Sequence, residues 1–311
     1  MKISFSIKIG IFSIVLISIV VLAGASPKRF ELNKTIHHVF AKWMVEHDRN
    51  YSTMSEMIKR KKIFKKFFLY IKKSNSQGNN TYRLAINKFA DMIEEDMPNC
   101  LLEDPKDFLA FDQKIVSFNI SEENLPDSFD WREHDAVSPV RDQGITCGSC
   151  WAFAATGALE SLMYLKGNYF DHKITQLSAQ ELIDCDPQNN GCRGVLLKRH
   201  LNISRRRRYK TYIDGYTSLR TDETSVRVAL LHQPIAASIR ISNDLRYYRG
   251  GIYSGACGKE GHAVLIVGYG EVKEGKYWIV KNSLGTNWGL DDYFWTRREY
   301  GETTGQCGLV L

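Results

Sequence analysis

Apolar residues along the chain form one dense uncharged block, then recur at helical spacing, and in the C-terminal half fall into strand-like runs. The dense block covers positions 9–22. Beyond it, Ile36, Val39, Phe40, Trp43 and Met44 repeat every three or four residues, as do Ile63, Phe64, Phe67, Phe68 and Ile71. That period predicts two amphipathic helices, and the lysines opposite the second stripe read as a solvated face. A short apolar-rich segment (82–91) follows, and from 98 to 123 the pattern fades into an acidic, irregular linker. A second region opens at Leu125-Pro126-Asp127. It predicts a helix over 150–166, stopped by Gly167, with Trp151, Ala155, Leu159 and Leu162 on one face, and a short helix over 178–183. The runs 263–267 and 277–280 are apolar and β-rich. They flank turn-forming residues 271–275, as in a hairpin. No internal repeat is evident.

Flanking residues change the meaning of the first block. Lys2 and Lys8 precede it and Ala23-Gly24-Ala25 follows, so residues 1–25 read as a secretory signal peptide rather than a membrane anchor. Export makes the seven cysteines informative: Cys100, Cys147, Cys150, Cys185, Cys192, Cys257 and Cys307. In an oxidising compartment most should pair, and an odd count leaves a thiol free or bonded between molecules. Sequons at Asn33, Asn50, Asn79, Asn119 and Asn202 fit the same route. A length of 311 residues suits roughly two domains, and the net charge of +7 names no partner. The run Arg205 to Arg208 lacks interleaved aromatics and reads as an exposed loop, not a nucleic-acid site. No cysteine–histidine cluster has metal-ligand spacing and no glycine loop suits a phosphate, so neither metal nor cofactor is expected.

The strongest chemical signal is Cys147-Gly148-Ser149-Cys150-Trp151. A thiol attacks as its thiolate, and a helix N-terminus favours that anion through free N–H groups and the helix dipole. Cys150 stands where a helix is predicted to start; taken alone, a disulfide is the blander reading. A nucleophile also needs a base and an orienter. His262 precedes one strand of the predicted hairpin and Asn282 follows the other, so the two should lie nearly opposite. An asparagine oxygen can take the proton of one ring nitrogen and leave the other for the thiol. The Gln143 amide and the Cys150 N–H could then hold an oxyanion.

Together these residues resemble the papain family of cysteine proteases. The matching stretches are Arg141-Asp142-Gln143-Gly144, Cys147 to Phe153, Gly191-Cys192-Arg193-Gly194, His262-Ala263-Val264, Lys281-Asn282-Ser283 and Trp288-Gly289. Leu125 to Trp131 looks like a mature N-terminus. Glu56, Arg60, Ile63, Phe64, Ile71 and Asn75 match the long-helix motif of the family's pro-domain, with Phe67 where asparagine is usual; Asn87, Phe89 and Asp91 match its second motif. The resemblance implies an α+β, papain-like two-domain fold, with a helical left domain, a β-barrel-like right domain and a mostly helical pro-domain before them. The expected division is a signal peptide at 1–25, an inhibitory pro-domain and linker at 26–124 and a peptidase domain at 125–311. The implied catalytic set is Cys150, His262, Asn282 and Gln143, acting through a thioester acyl-enzyme. Gly194, Ala263 and Trp288 are implied at the substrate, with Ser238 a further pocket position. The implied disulfides are Cys147–Cys192 and Cys257–Cys307, leaving Cys150 free. The implied partners are protein or peptide substrates, the chain's own pro-domain and protein protease inhibitors, with no nucleic acid, no membrane after signal removal, and a monomeric state. Extracellular space or a lysosome or vacuole is the implied destination.

The chain also departs from that pattern. His262 lies 112 residues and Asn282 132 residues after Cys150, against a usual range of roughly 130–150. The shortening falls mainly between Gly194 and about Asp214 and removes the usual partner of Cys185. Val195 stands for a glycine, an extra residue separates Gln143 from Cys147, Leu284 replaces a tryptophan over the Asn–His contact, and the chain stops soon after Cys307. Two competing readings therefore stand beside an endopeptidase zymogen: a non-catalytic relative that works as a pseudo-protease or pro-domain-based inhibitor, and an incomplete product.

Overall fold

A computed structural model describes residues 27–97, 125–167, 173–186, 190–194, 219, 222–299, 301 and 305–309. The signal segment, the whole linker, Cys100, Asn119, Val195, Asn202 and the arginine run lie outside the described residues. The chain divides into two compact units, Met1–Phe68 and Leu69–Leu311.

The first unit is a helical pair. Helix α1 (Pro27–Glu46) and the start of α2 (Met54–Ser76) realise the two predicted stripes. Ile36, Phe40, Trp43 and Phe64 are buried. The Phe40 and Trp43 rings each stand 5.1 Å from Phe64, pairs worth about 0.5–1.5 kcal/mol beyond their burial. The lysine face is less idle than its pattern suggests. Lys61 Nζ meets His37 Nδ1 at 2.7 Å and Lys65 Nζ donates to Asn33 Oδ1 at 2.7 Å, so both tie α2 back to α1.

The second unit is built on a seven-stranded sheet: β1 (Tyr82–Leu84), β2 (Phe129–Asp130), β3 (Ile235–Ile241), β4 (Tyr248–Tyr253), β5 (Glu260–Val272), β6 (Gly275–Lys281) and β7 (Tyr293–Arg297). Its order is β1-β4-β7-β6-β5-β2, with β3 also pairing β5; only β4 and β7 run parallel. Asn75, at the end of α2, exchanges two bonds with the Leu84 backbone and so fastens β1.

The β5–β6 hairpin decides the site. Its loop is only Lys273-Glu274, and a register shift falls between Ile266 and Gly268. Gly268 is required there, because a Cβ would stand 2.4 Å from the Phe129 carbonyl. Helix α3 (Cys150–Leu165) lies on β5, where Gly157 allows a close approach: its Cβ would meet Leu265 Cδ2 at 3.1 Å. The short helix α4 (Ala179–Cys185) is capped by Ser178 and packs on α3, with Leu182 in the same core as Trp151. Helices α5 (Glu223–Leu230) and α6 (Asn243–Arg246) carry side-chain caps from Asp222 and Ser242. Disulfides join Cys147 to Cys192 and Cys257 to Cys307, and Cys185 is free and exposed.

Candidate active site

Cys150 is the first residue of α3 and is fully buried. The loop before it is held by a buried charge pair. Glu160, with no exposure, accepts from Arg141 Nη2 through both oxygens (2.9 and 3.0 Å) and from the Leu177 N–H at 2.7 Å. On the other side Gly148 N–H donates to the Cys192 carbonyl at 2.8 Å, and the Trp151 indole donates to Gly191 at 3.0 Å. The cysteine is therefore fixed from both directions.

His262 and Asn282 meet: Nε2 of the ring lies 2.8 Å from Asn282 Oδ1. They are not cross-strand partners as the hairpin spacing suggested. Leu265 pairs with Lys281, so Asn282 follows on toward Val264, and His262 lies diagonally across. Diagonal neighbours on one face remain within reach of long side chains. The adjacent Ala263 N–H points at Cys150 Sγ at 3.3 Å. This brings the three sequence-predicted residues to one place.

The Cys150 sulfur departs from expectation. It is disulfide-bonded rather than a free thiol. Burial drives the His262 pKa down to about 4; the Asn282 bond opposes that shift and the Arg246 charge adds to it. In this form the imidazole is neutral at any pH well above that value.

Gln143 stands beside the pair. Its backbone N–H donates to Ser283 O at 2.9 Å, its Oε1 accepts from Ser283 Oγ at 2.6 Å, and its Nε2 donates to Cys147 O at 3.2 Å. Ser283 thus ties Gln143 to the segment that carries Asn282. That role was invisible in sequence, where Ser283 is simply the residue after the asparagine. Gly194 adopts φ 86°, ψ −173°. Ala263 and Ser238 face each other across β3 and β5. Trp288 is 1% exposed, packs tilted against Tyr248 and edge-on to Phe294, and donates to the Arg246 carbonyl at 2.9 Å; it is packed in the core rather than laid open at the surface.

Residues in and just after the second motif (Asn87, Phe89 and Asp91) close over the same place. Phe89 and Met97 line a cavity together with Gln143, Arg246, His262 and Leu284. Asn87 Nδ2 donates to Arg246 O at 2.8 Å, Tyr247 OH donates to Phe89 O at 3.1 Å, and Lys88 pairs with Asp142 at 2.5 Å. Tyr82 OH donates to Asp244 Oδ2 at 2.5 Å, and Tyr70 OH donates to the other oxygen of that carboxylate.

A cysteine heading a buried helix, against a histidine and an asparagine on neighbouring strands, is the arrangement of a thiol protease; here earlier chain residues line the same cavity, as in a proenzyme. The chain belongs to the papain family of cysteine proteases. The model of that family matches residues 125–208 and 198–310, and the cathepsin propeptide inhibitor domain (I29) matches residues 40–97. Fruit bromelain of Ananas comosus is 34% identical over 317 residues, covering 92% of this chain and 89% of that protein. The recombinant stem bromelain precursor superposes with a TM-score of 0.76 at 31% identity, covering 89% of this chain and 97% of that one. The proform of Amb a 11, a ragweed pollen cysteine protease, gives 0.77 at 31% identity, covering 90% and 94%. The protein is a cysteine endopeptidase made with an inhibitory propeptide, and its partners are protein substrates and that propeptide. Among the described residues no helix is long and apolar enough to cross a membrane.

Proposed function

We propose that Cys150, once reduced, is the nucleophile, His262 the base, Asn282 its orienter and Gln143 an oxyanion donor. The observation that carries this reading is the 2.8 Å contact between His262 and Asn282, with Ala263 N–H on the Cys150 sulfur. With Nε2 engaged by Asn282, Nδ1 is the nitrogen left to take the thiol proton. The thiolate at the head of α3 then attacks the peptide carbonyl, and the Cys150 N–H with the free N–H of Gln143 receives the oxyanion. The imidazolium returns its proton to the leaving amine, and water hydrolyses the thioester. Residues 26–124 act as the pro-region, 1–25 as a cleaved signal, and 125–311 as the monomeric peptidase. Gly194, Ala263 and Trp288 shape the substrate side. The destination is the cell exterior or an acidic vacuole or lysosome, where protein protease inhibitors are further partners. The inhibitor-only reading fits less well, since the full set of chemical groups converges.

The test is labelling by an irreversible thiol-reactive epoxide. The chain from Ser26 is reduced, brought to mildly acidic pH, labelled and mapped by peptide mass spectrometry, with Cys150→Ala as control. Stoichiometric modification at Cys150 is expected. A folded, processed and reduced protein that resists labelling overturns the assignment.

A further inference from the structure

The turn Leu290-Asp291-Asp292-Tyr293 is a tight reversal with paired Leu290 and Tyr293 backbones, and its two central residues have φ of 52° and 70°. That is the left-handed pair of a hairpin turn, whose second position favours glycine. Asp292 holds it instead, and does so fully buried. An outlier of this kind persists only where its surroundings repay it.

What repays it is the active-site segment. The Asp292 carbonyl accepts from Asn282 N–H at 2.8 Å, and its carboxylate Oδ1 accepts from Leu284 N–H at 2.7 Å. Its own N–H is spent on Trp288 O at 2.8 Å. One residue therefore grips both ends of the turn Asn282-Ser283-Leu284. Within that turn Asn282 Oδ1 accepts from His262 and from Ser283 N–H, each at 2.8 Å, while Ser283 holds Gln143. The direction of the asparagine oxygen, and the place of the glutamine, both follow from how this turn is held. The carboxyl is costly to keep: burial pushes its pKa up to about 7, against the Leu284 N–H and the nearby Lys281 charge.

We propose that Asp292 is a positioning residue for the catalytic centre, its side-chain carboxyl oxygen setting the 282–284 turn so that Asn282 is aimed at His262. This deepens the proposed function and rests on the roles assigned there to His262 and Asn282.

Two variants separate positioning from mere turn formation. Asp292→Gly suits the backbone and keeps the main-chain bond to Asn282, removing only the carboxylate. Asp292→Asn keeps an oxygen acceptor for Leu284. The first readout is the His262 titration by NMR in the full-length chain, assigned with His262→Gln. It needs no turnover, so it decides the inference even if the wild type proves inert and the catalytic reading fails. The second is the rate of epoxide labelling of the reduced, processed enzyme. Asp292→Gly is expected to lower the His262 midpoint below that of the wild type and to slow labelling between about ten- and a hundred-fold. Asp292→Asn is expected to restore both. A glycine variant with the wild-type His262 titration, or an asparagine variant as displaced as the glycine one, overturns the proposal.

Discussion

At the scale of single residues, two buried groups pull the pH dependence of stability in opposite directions. His262 has its folded pKa lowered from 6.5 to about 4, so its contribution is present above 6.5 and is lost as pH falls through 4. Asp292 has its folded pKa raised from 3.8 to about 7, so its contribution is present below 3.8 and is lost as pH rises through 7. Between pH 4.5 and 6.5 the two slopes oppose each other. Urea unfolding with disulfides intact should therefore give a nearly flat profile for the wild type. Relative to it, Asp292→Asn should gain about 2 kcal/mol over that window as pH rises, and His262→Gln should lose about as much. Parallel profiles for all three proteins would show that neither shift exists. Catalysis offers a second check. Asn282→Ala removes the one bond that supports protonation of His262, and should lower kcat/KM by about ten- to a hundred-fold, part of the 10²–10⁴ that a placed base supplies.

Among the elements, α3 and the β5–β6 hairpin show what could be read from sequence. Helical spacing and Gly167 placed α3 to within a residue of its end, because its first turns bury Trp151, Ala152, Ala154, Ala155 and Ala158; Thr156, Glu160 and Ser161 are buried as well, while Leu159 and Leu162 stay half-buried. The hairpin was equally legible as two strands and a turn, and the His262–Asn282 encounter followed from it. Its register was not, because the shift near Gly268 arises where β2 crowds the strand. Asp292 was illegible for a related reason: its role depends on a left-handed backbone and on a segment eight residues away, and neither leaves a periodic trace. Nor did the pattern show that Cys150 would be bonded. The loop leading into α3 depends on Glu160, a carboxylate with no exposure whose partner Arg141 is partly exposed. Arg141→Met should strip that carboxylate of its charge partner and cost about 3 kcal/mol by denaturant unfolding. A loss under 1 kcal/mol would mean that the Leu177 N–H suffices.

For the whole molecule, latency is written into the enzyme's own framework. Phe89 and Met97 share a cavity with His262, Asp244 clasps Tyr70 and Tyr82, and the Cys150 sulfur is occupied. Acid alone should therefore leave the epoxide target blocked. Labelling should require a thiol reductant, which is itself oxidised as it returns the Cys150 thiol, and equal labelling without reductant would contradict this. Asp244→Ala should hasten self-processing at a given pH, read as the mature band on a gel. A consequence of the sheet order reaches further. β1, from the pro-region, is the outermost ribbon of the same sheet that carries His262, beside β4. Maturation thus strips a lateral neighbour from the folded enzyme and bares the backbone donors and acceptors of Tyr248–Tyr253. The released peptide has a template to return to, so product should slow its own formation. The Gly250-Gly251 pair against which Tyr82 and Arg83 lie would serve as the landing point for recapture.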